Sequence, residues 1–211
     1  MTLKRLGSAW QPLVRQVLFA LGAERLASSE NVAAMSELCD QVVSWNLRIN
    51  LTSARSPEQL VDLYVADAAV LAVHALPGAR TWVDVGSGAG APGLPLALLS
   101  PGLSVTLVEP RAKRVAFLRT AAFSLIGNRA HVVRGRSEEL LSGGWEMAVS
   151  RATLPPSEWL VEGTRLARRG VWVLLGQAPA PSRPGWRLAA DVSYQLPLTG
   201  AGRRALCFAP E

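Results

Sequence analysis

The segment Val83-Asp84-Val85-Gly86-Ser87-Gly88-Ala89-Gly90-Ala91-Pro92-Gly93 concentrates the residue types that could do chemistry. An apolar run ends in a carboxylate, glycines follow at alternate positions, and a helical pattern begins directly after. Glycine here lets the chain turn sharply and brings a ligand against bare backbone, while the helix behind offers free N–H groups. The next apolar run, Val105-Thr106-Leu107-Val108, ends in Glu109, 23 residues beyond Gly86. A carboxylate at that spacing can accept both ribose hydroxyls of an adenosine held across the carboxyl edge of a parallel sheet.

Gly86 to Ala91 also satisfies the dinucleotide pattern G-x-G-x-x-A. Two features favour S-adenosylmethionine over a nicotinamide cofactor. Asp84 would repel a pyrophosphate but attract the amino group of an amino-acid-bearing cofactor. Pro92 and Pro95 delay the helix, which weakens phosphate capping by its first turn. Asp84, Gly86, Gly88 and Glu109 are therefore the expected cofactor contacts. Two cysteines, Cys39 and Cys207, lie in apolar surroundings without metal-ligand spacing. They read as buried, reduced thiols, and no metal is expected.

Elements of two kinds must position these residues. Trp10, Leu13, Val14, Val17, Leu18 and Leu21 recur at helical spacing, and Arg15 and Gln16 interrupt what could otherwise pass for a secretory leader. A second helix is expected over 29–46. A third opens at Ser56 with Pro57 in its first turn and Gln59 three residues after the cap, and runs to about His74. From Thr81 the texture changes to short apolar runs at 81–85, 104–109, 130–134, 146–150 and 170–175. Helix candidates at 93–99, 112–125 and 156–168 separate them, an alternation that implies a parallel sheet covered on both faces. Two extended runs between Trp186 and Pro210 would finish it as an antiparallel hairpin. Residues 1–78 thus form an N-terminal helical cap and 79–211 the core, together one compact unit.

At 211 residues, with 49% apolar and 18% charged residues, the chain suits one folded domain, with no membrane span. The net charge of +6 is uneven, with seven basic residues and no acidic one between Arg111 and Arg136. That block favours an anionic partner, nucleic acid first, against the plainer reading of a solvated basic face.

Taken together, 45–60 (WNLRINLTSARSPEQL), 83–98 (VDVGSGAGAPGLPLAL), 113–119 (KRVAFLR), 135–140 (GRSEEL) and 150–152 (SRA) resemble the bacterial small-subunit (16S) ribosomal RNA guanine-N7 methyltransferases, also called glucose-inhibited division protein B. The resemblance spans about residues 38–177. It implies a Rossmann-like α/β fold of the class I methyltransferase type, with a seven-stranded, mostly parallel sheet, an antiparallel last strand and the helical cap. It implies S-adenosylmethionine as cofactor, 16S ribosomal RNA in the small subunit as partner, a cytoplasmic location and a monomer. Gly86 and Ala91 would face the cofactor, Glu109 its ribose, and Ser137 and Glu138 its adenine. Arg151 would stand at the pocket mouth as the residue positioning substrate and cofactor. Without the resemblance, Ser137 and Glu138 read simply as a helix cap. RNA contacts would come from Arg111, Lys113, Arg114, Arg119, Arg134 and Arg136, since arginines bind phosphates and stack on bases.

Guanine N7 carries a lone pair and no proton, so no general base is expected, and neither His74 nor His131 stands in a catalytic setting. Trp45, Asn50 and Thr52 read first as packing and turn residues. Three departures stand out. Ala91 replaces a large apolar residue, Asp62-Leu63 replaces an Arg-His pair with Asp67-Ala68 after it, and Leu175 replaces a lysine. A relative that binds cofactor or RNA without efficient transfer, and a methyltransferase with another substrate, therefore remain open alternatives.

Overall fold

Seven strands form one sheet in the order β3-β2-β1-β4-β5-β7-β6 in the computed structural model, which describes residues 3–211. They are β1 (Thr81–Val85), β2 (Ser104–Val108), β3 (Ala130–Val133), β4 (Trp145–Ser150), β5 (Ala167–Leu175), β6 (Trp186–Gln195) and β7 (Gly202–Pro210). β1 to β5 run parallel, and β7 lies antiparallel between β5 and β6. The central strands are apolar on both faces because helices cover both. The chain moves outward from β1 to β3, then returns to place β4 on the other side of β1. That reversal opens a crevice at the carboxyl ends of β1 and β4, where Val85 pairs with Ser150.

α1 (Gln11–Ala20) and α2 (Ser29–Asn46) precede the sheet, and one continuous apolar cluster runs from Trp10 through both helices to Trp82, Trp172 and Cys207. α3 (Pro57–Val61) starts as its sequence dictates: Ser56 Oγ accepts from the Gln59 N–H at 3.3 Å, and Gln59 Oε1 accepts from the Arg55 N–H. The helix expected to reach His74 is interrupted by a widened π turn over Asp62–Ala66 before α4 (Asp67–Val73). Such turns commonly occur at functional sites, and this one borders the crevice.

α5 (Gly93–Leu99), α6 (Ala112–Leu125) and α7 (Pro156–Leu166) join the strands. α7 ends two residues earlier than its pattern suggests and passes directly into β5. There Arg169 is held in the strand by Glu146 Oε1 at 3.1 Å and the Pro77 carbonyl at 2.7 Å. Trp45 packs edge-on against Phe117, centroids 5.8 Å apart, joining α2 to α6; its packing role holds. Both cysteines are buried and unbridged. No helix among the described residues is long and apolar enough to cross a membrane.

Candidate cofactor and substrate site

The crevice holds a cavity of about 400 Å³, walled by the glycine loop, Glu109 to Arg111, Leu51 to Ser53, Tyr64 and Arg151 to Thr153. The N–H groups of Gly86 and Ser87 both donate to the Val108 carbonyl, at 2.9 and 3.0 Å, which pins the loop to β2. Gly86 has φ +69° and a Cβ there would collide with the Thr153 side chain. Only glycine leaves this wall open.

Glu109 is buried at the end of β2. Its Oε2 accepts from the Gly88 N–H at 3.0 Å and its Oε1 from the Arg111 N–H at 2.9 Å. A carboxylate has about four acceptor positions, so this backbone grip orients Glu109 and still leaves capacity for two ribose hydroxyls. Ser137 and Glu138 line a smaller cavity of about 150 Å³ that shares Gly86, Pro110 and Thr153 with the larger one. The two form one trough across the sheet edge. Its far end is shaped by Arg165, which donates to the carbonyls of Ser137 at 2.7 Å and Leu140 at 2.9 Å and is itself paired with Glu162. The glycine cradle, the free acceptor capacity of Glu109 and the trough fit an adenosine-bearing cofactor.

Asp84, expected at the cofactor's amino group, does not line the trough. It lies beneath the loop, where Oδ2 accepts from the Gly93 N–H at 3.0 Å and Oδ1 has no partner. Burial pushes its carboxyl up to about 7, against the pull of the Gly93 N–H and Arg151. Because the folded state raises this value, the unfolded chain releases the proton first, and stability falls as pH climbs from about 4 to about 7. Asp84→Asn removes that contribution. Denaturant unfolding of the ligand-free variant across this range should show a shallower fall than wild type, and an unchanged slope would refute the assignment.

Arg151 closes the trough from the β4 side. Its Nη1 donates to the Leu63 carbonyl in the π turn, at 2.6 Å, and to Asp67 Oδ2 at 3.2 Å. Tyr194 Oη donates to Asp67 Oδ1 at 2.6 Å, so β6 also steadies this guanidinium. Ser150 Oγ donates to the Val85 carbonyl, tying the ends of β4 and β1 together. Ala152 has φ +54°, a sparsely populated conformation for alanine, at the rim of the cavity.

Several residues that build the site were not singled out in the sequence for that role. Tyr64 Oη donates to the Ala89 carbonyl at 2.6 Å, linking the π turn to the glycine loop. Asn46 Oδ1 accepts from the N–H groups of Leu51 and Thr52, shaping the segment that lines the cavity. The recurring Asn and Thr between 46 and 52 was the available signal. Of the departures, Ala91 lines the cavity. Leu175 is buried in an adjoining groove of about 450 Å³ with Trp159 and Leu154, and Arg203 stands in the same groove. Asp62, one of the noted departures, accepts from Leu198 and Thr199 and holds the β6–β7 turn.

Arg111 and Arg114 line the cavity and Arg136 the smaller one. Lys113, Arg119 and Arg134 are exposed on the α6 and β3 side. Among the described residues no cluster of His, Cys, Asp and Glu could hold a metal ion.

This sheet order, with a trough at its reversal point, is that of the class I methyltransferase fold. The structure superposes with M. jannaschii TYW2, solved in complex with AdoMet, at TM-score 0.53 and 12% identity, over 78% of this chain and 80% of that one. The Bacillus subtilis M1A22 tRNA methyltransferase TrmK gives TM-score 0.53 at 10% identity, over 68% and 65%. At sequence level, the family described as rRNA small subunit methyltransferase G matches residues 31–179. The relative named ribosomal RNA small subunit methyltransferase G from Myxococcus xanthus is 32% identical over 84% of this chain and 87% of its own. That from Halorhodospira halophila is 41% identical over 78% and 81%. The chain belongs to the rRNA small subunit methyltransferase G family.

Proposed function

We propose that the protein uses S-adenosylmethionine to methylate N7 of one guanine in small-subunit (16S) ribosomal RNA. The observation that carries this reading is the family match over residues 31–179, which contains the whole trough from Leu51 to Leu154. The cofactor supplies a methyl group on a sulfonium, and guanine N7 can accept it without losing a proton. The residues present suit such a reaction. His74 and His131 are exposed and lie outside the cofactor trough, and alignment in a shielded pocket can supply most of the acceleration.

In this reading Gly86, Gly88 and Ala91 leave room for the cofactor, Glu109 takes its ribose, and Ser137 and Glu138 flank its adenine. Asp84 supports α5 from below. Arg151 is the positioning group: Asp67 and the Leu63 carbonyl hold one nitrogen, and its remaining N–H groups are free to donate to guanine O6, next to the reacting N7. The groove beside it, floored by Leu175, admits the base from the β5 side. A monomer suffices, since one chain supplies every wall of the trough, and the reaction belongs in the cytoplasm with the ribosomal subunits.

Labelled methyl transfer to small subunits from cells lacking the enzyme, with the modified base mapped, tests the reading. Label at a single guanine N7 is expected; label at another position, or none, overturns it. Arg151→Ala should lower kcat on the order of 100-fold, as loss of one aligned donor does elsewhere. Cofactor affinity should fall far less, and an unchanged kcat would remove Arg151 from the positioning role.

A further inference from the structure

We infer that the C-terminal half of α6 and the open edge of β3 form a second RNA-contacting surface, in which Phe123 stacks on an unpaired base. This rests on the reading of ribosomal RNA as substrate and extends it to a surface outside the trough. Phe123 is 84% exposed, the highest value among the large apolar side chains of the described residues. It lies one helical turn beyond Arg119 on the same face of α6. Together they line a groove of about 310 Å³ whose other wall includes Asn128 and His131. β3 pairs only with β2, so this rim of the sheet is open.

Electrostatics favour RNA over a protein partner. No acidic residue occurs anywhere between Arg111 and Arg136. Arg129 is spent internally on the carbonyls of Ala97, Ser100 and Leu103, whereas Arg119 has no carboxylate partner among the described residues. A lone aromatic beside free cations and polar groups is poor material for an apolar protein interface. It suits single-stranded RNA, where bases stack on aromatic faces and arginines meet phosphates. Phe123 is nine residues from Arg114 at the trough, about 14 Å along the helix axis. Nine residues also carry the helix half a turn past a whole number of turns, so Phe123 faces away from Arg114. An RNA strand that touches both must wrap the flank of α6, with its target base in the trough and a base several nucleotides distant on Phe123.

The test is the Kd for deproteinised small-subunit ribosomal RNA, measured for wild type and variants whose thermal unfolding matches it. Phe123→Ala should weaken binding about tenfold, within the range for loss of one stacked base. Phe123→Trp should restore the affinity and Phe123→Leu should not. Arg119→Ala should flatten the dependence of log Kd on log salt by roughly one released counterion. Phe19→Ala, at an exposed phenylalanine on α1, serves as the control and should bind as wild type does. Wild-type affinity in Phe123→Ala, or full rescue by leucine, overturns the proposal. So does a loss seen only with assembled subunits, which would assign the patch to a ribosomal protein. Because binding is read without methyl transfer, a failure here is separable from a failure of the proposed reaction.

Discussion

Gly86→Ala is expected to abolish useful cofactor affinity while leaving a folded protein. Gly86 sits at φ +69°, where an L side chain costs roughly 1–2 kcal/mol. The added Cβ would also lie 2.9 Å from the Thr153 Cβ as well as inside its methyl and hydroxyl. Rotating the threonine cannot clear a clash that reaches its Cβ, so the backbone after Arg151 must shift. Both walls of the trough then move at once, the glycine loop and the Ser150-Arg151-Ala152 segment. A fall in affinity of about 100-fold or more, roughly 2.7 kcal/mol, should appear in calorimetric titration with S-adenosylmethionine. Wild-type affinity in a well-folded variant would show that the loop is not the cofactor cradle.

Asp62→Ala should produce a large loss of stability from a single carboxylate remote from the trough. Asp62 is 1% exposed, and its oxygens accept from the Leu198 N–H, the Thr199 N–H at 2.8 Å and Thr199 Oγ1 at 2.7 Å. Truncation strands two partly buried N–H groups, at a cost of about 3 kcal/mol in total. For a chain of this size the unfolding midpoint should drop by roughly 6–12 °C. Asp62→Asn keeps one acceptor and should lose less. Asp62→Arg should lose more, since no acceptor replaces the carboxylate and a cation is brought against the same N–H groups. Equal midpoints for all four proteins would sink this account.

The contrast between these two residues shows how far the sequence could be read. Gly86 was legible because its requirement is local: a strand, a turn at positive φ and a helix follow one another within a dozen residues. Glu109 was legible for the same reason, one strand further on. The β-strands from Thr81 onward and the capped helix at Ser56 followed from period and turn chemistry, and the sheet order agrees with them. Asp84 was expected to meet the cofactor's amino group, because strand periodicity cannot say whether the carboxylate reaches over the loop or under it. In the structure it turns under, onto Gly93.

Asp62 and Asp67 lay beyond that kind of reading. Their partners Thr199 and Tyr194 are 137 and 127 residues away, brought close only when the β6–β7 hairpin closes the sheet. Tyr64 and Ala89 meet across 25 residues because the helix widens into a π turn, which no propensity marks. The sequence by itself thus determined the alternation of strands and helices, the glycine loop, the carboxylate at the end of β2 and the basic stretch, because each depends on neighbours in the chain. Tertiary structure decided where Asp84 points, what steadies Arg151 and why Asp62 holds a turn, because those are contacts between segments that meet only in the folded chain.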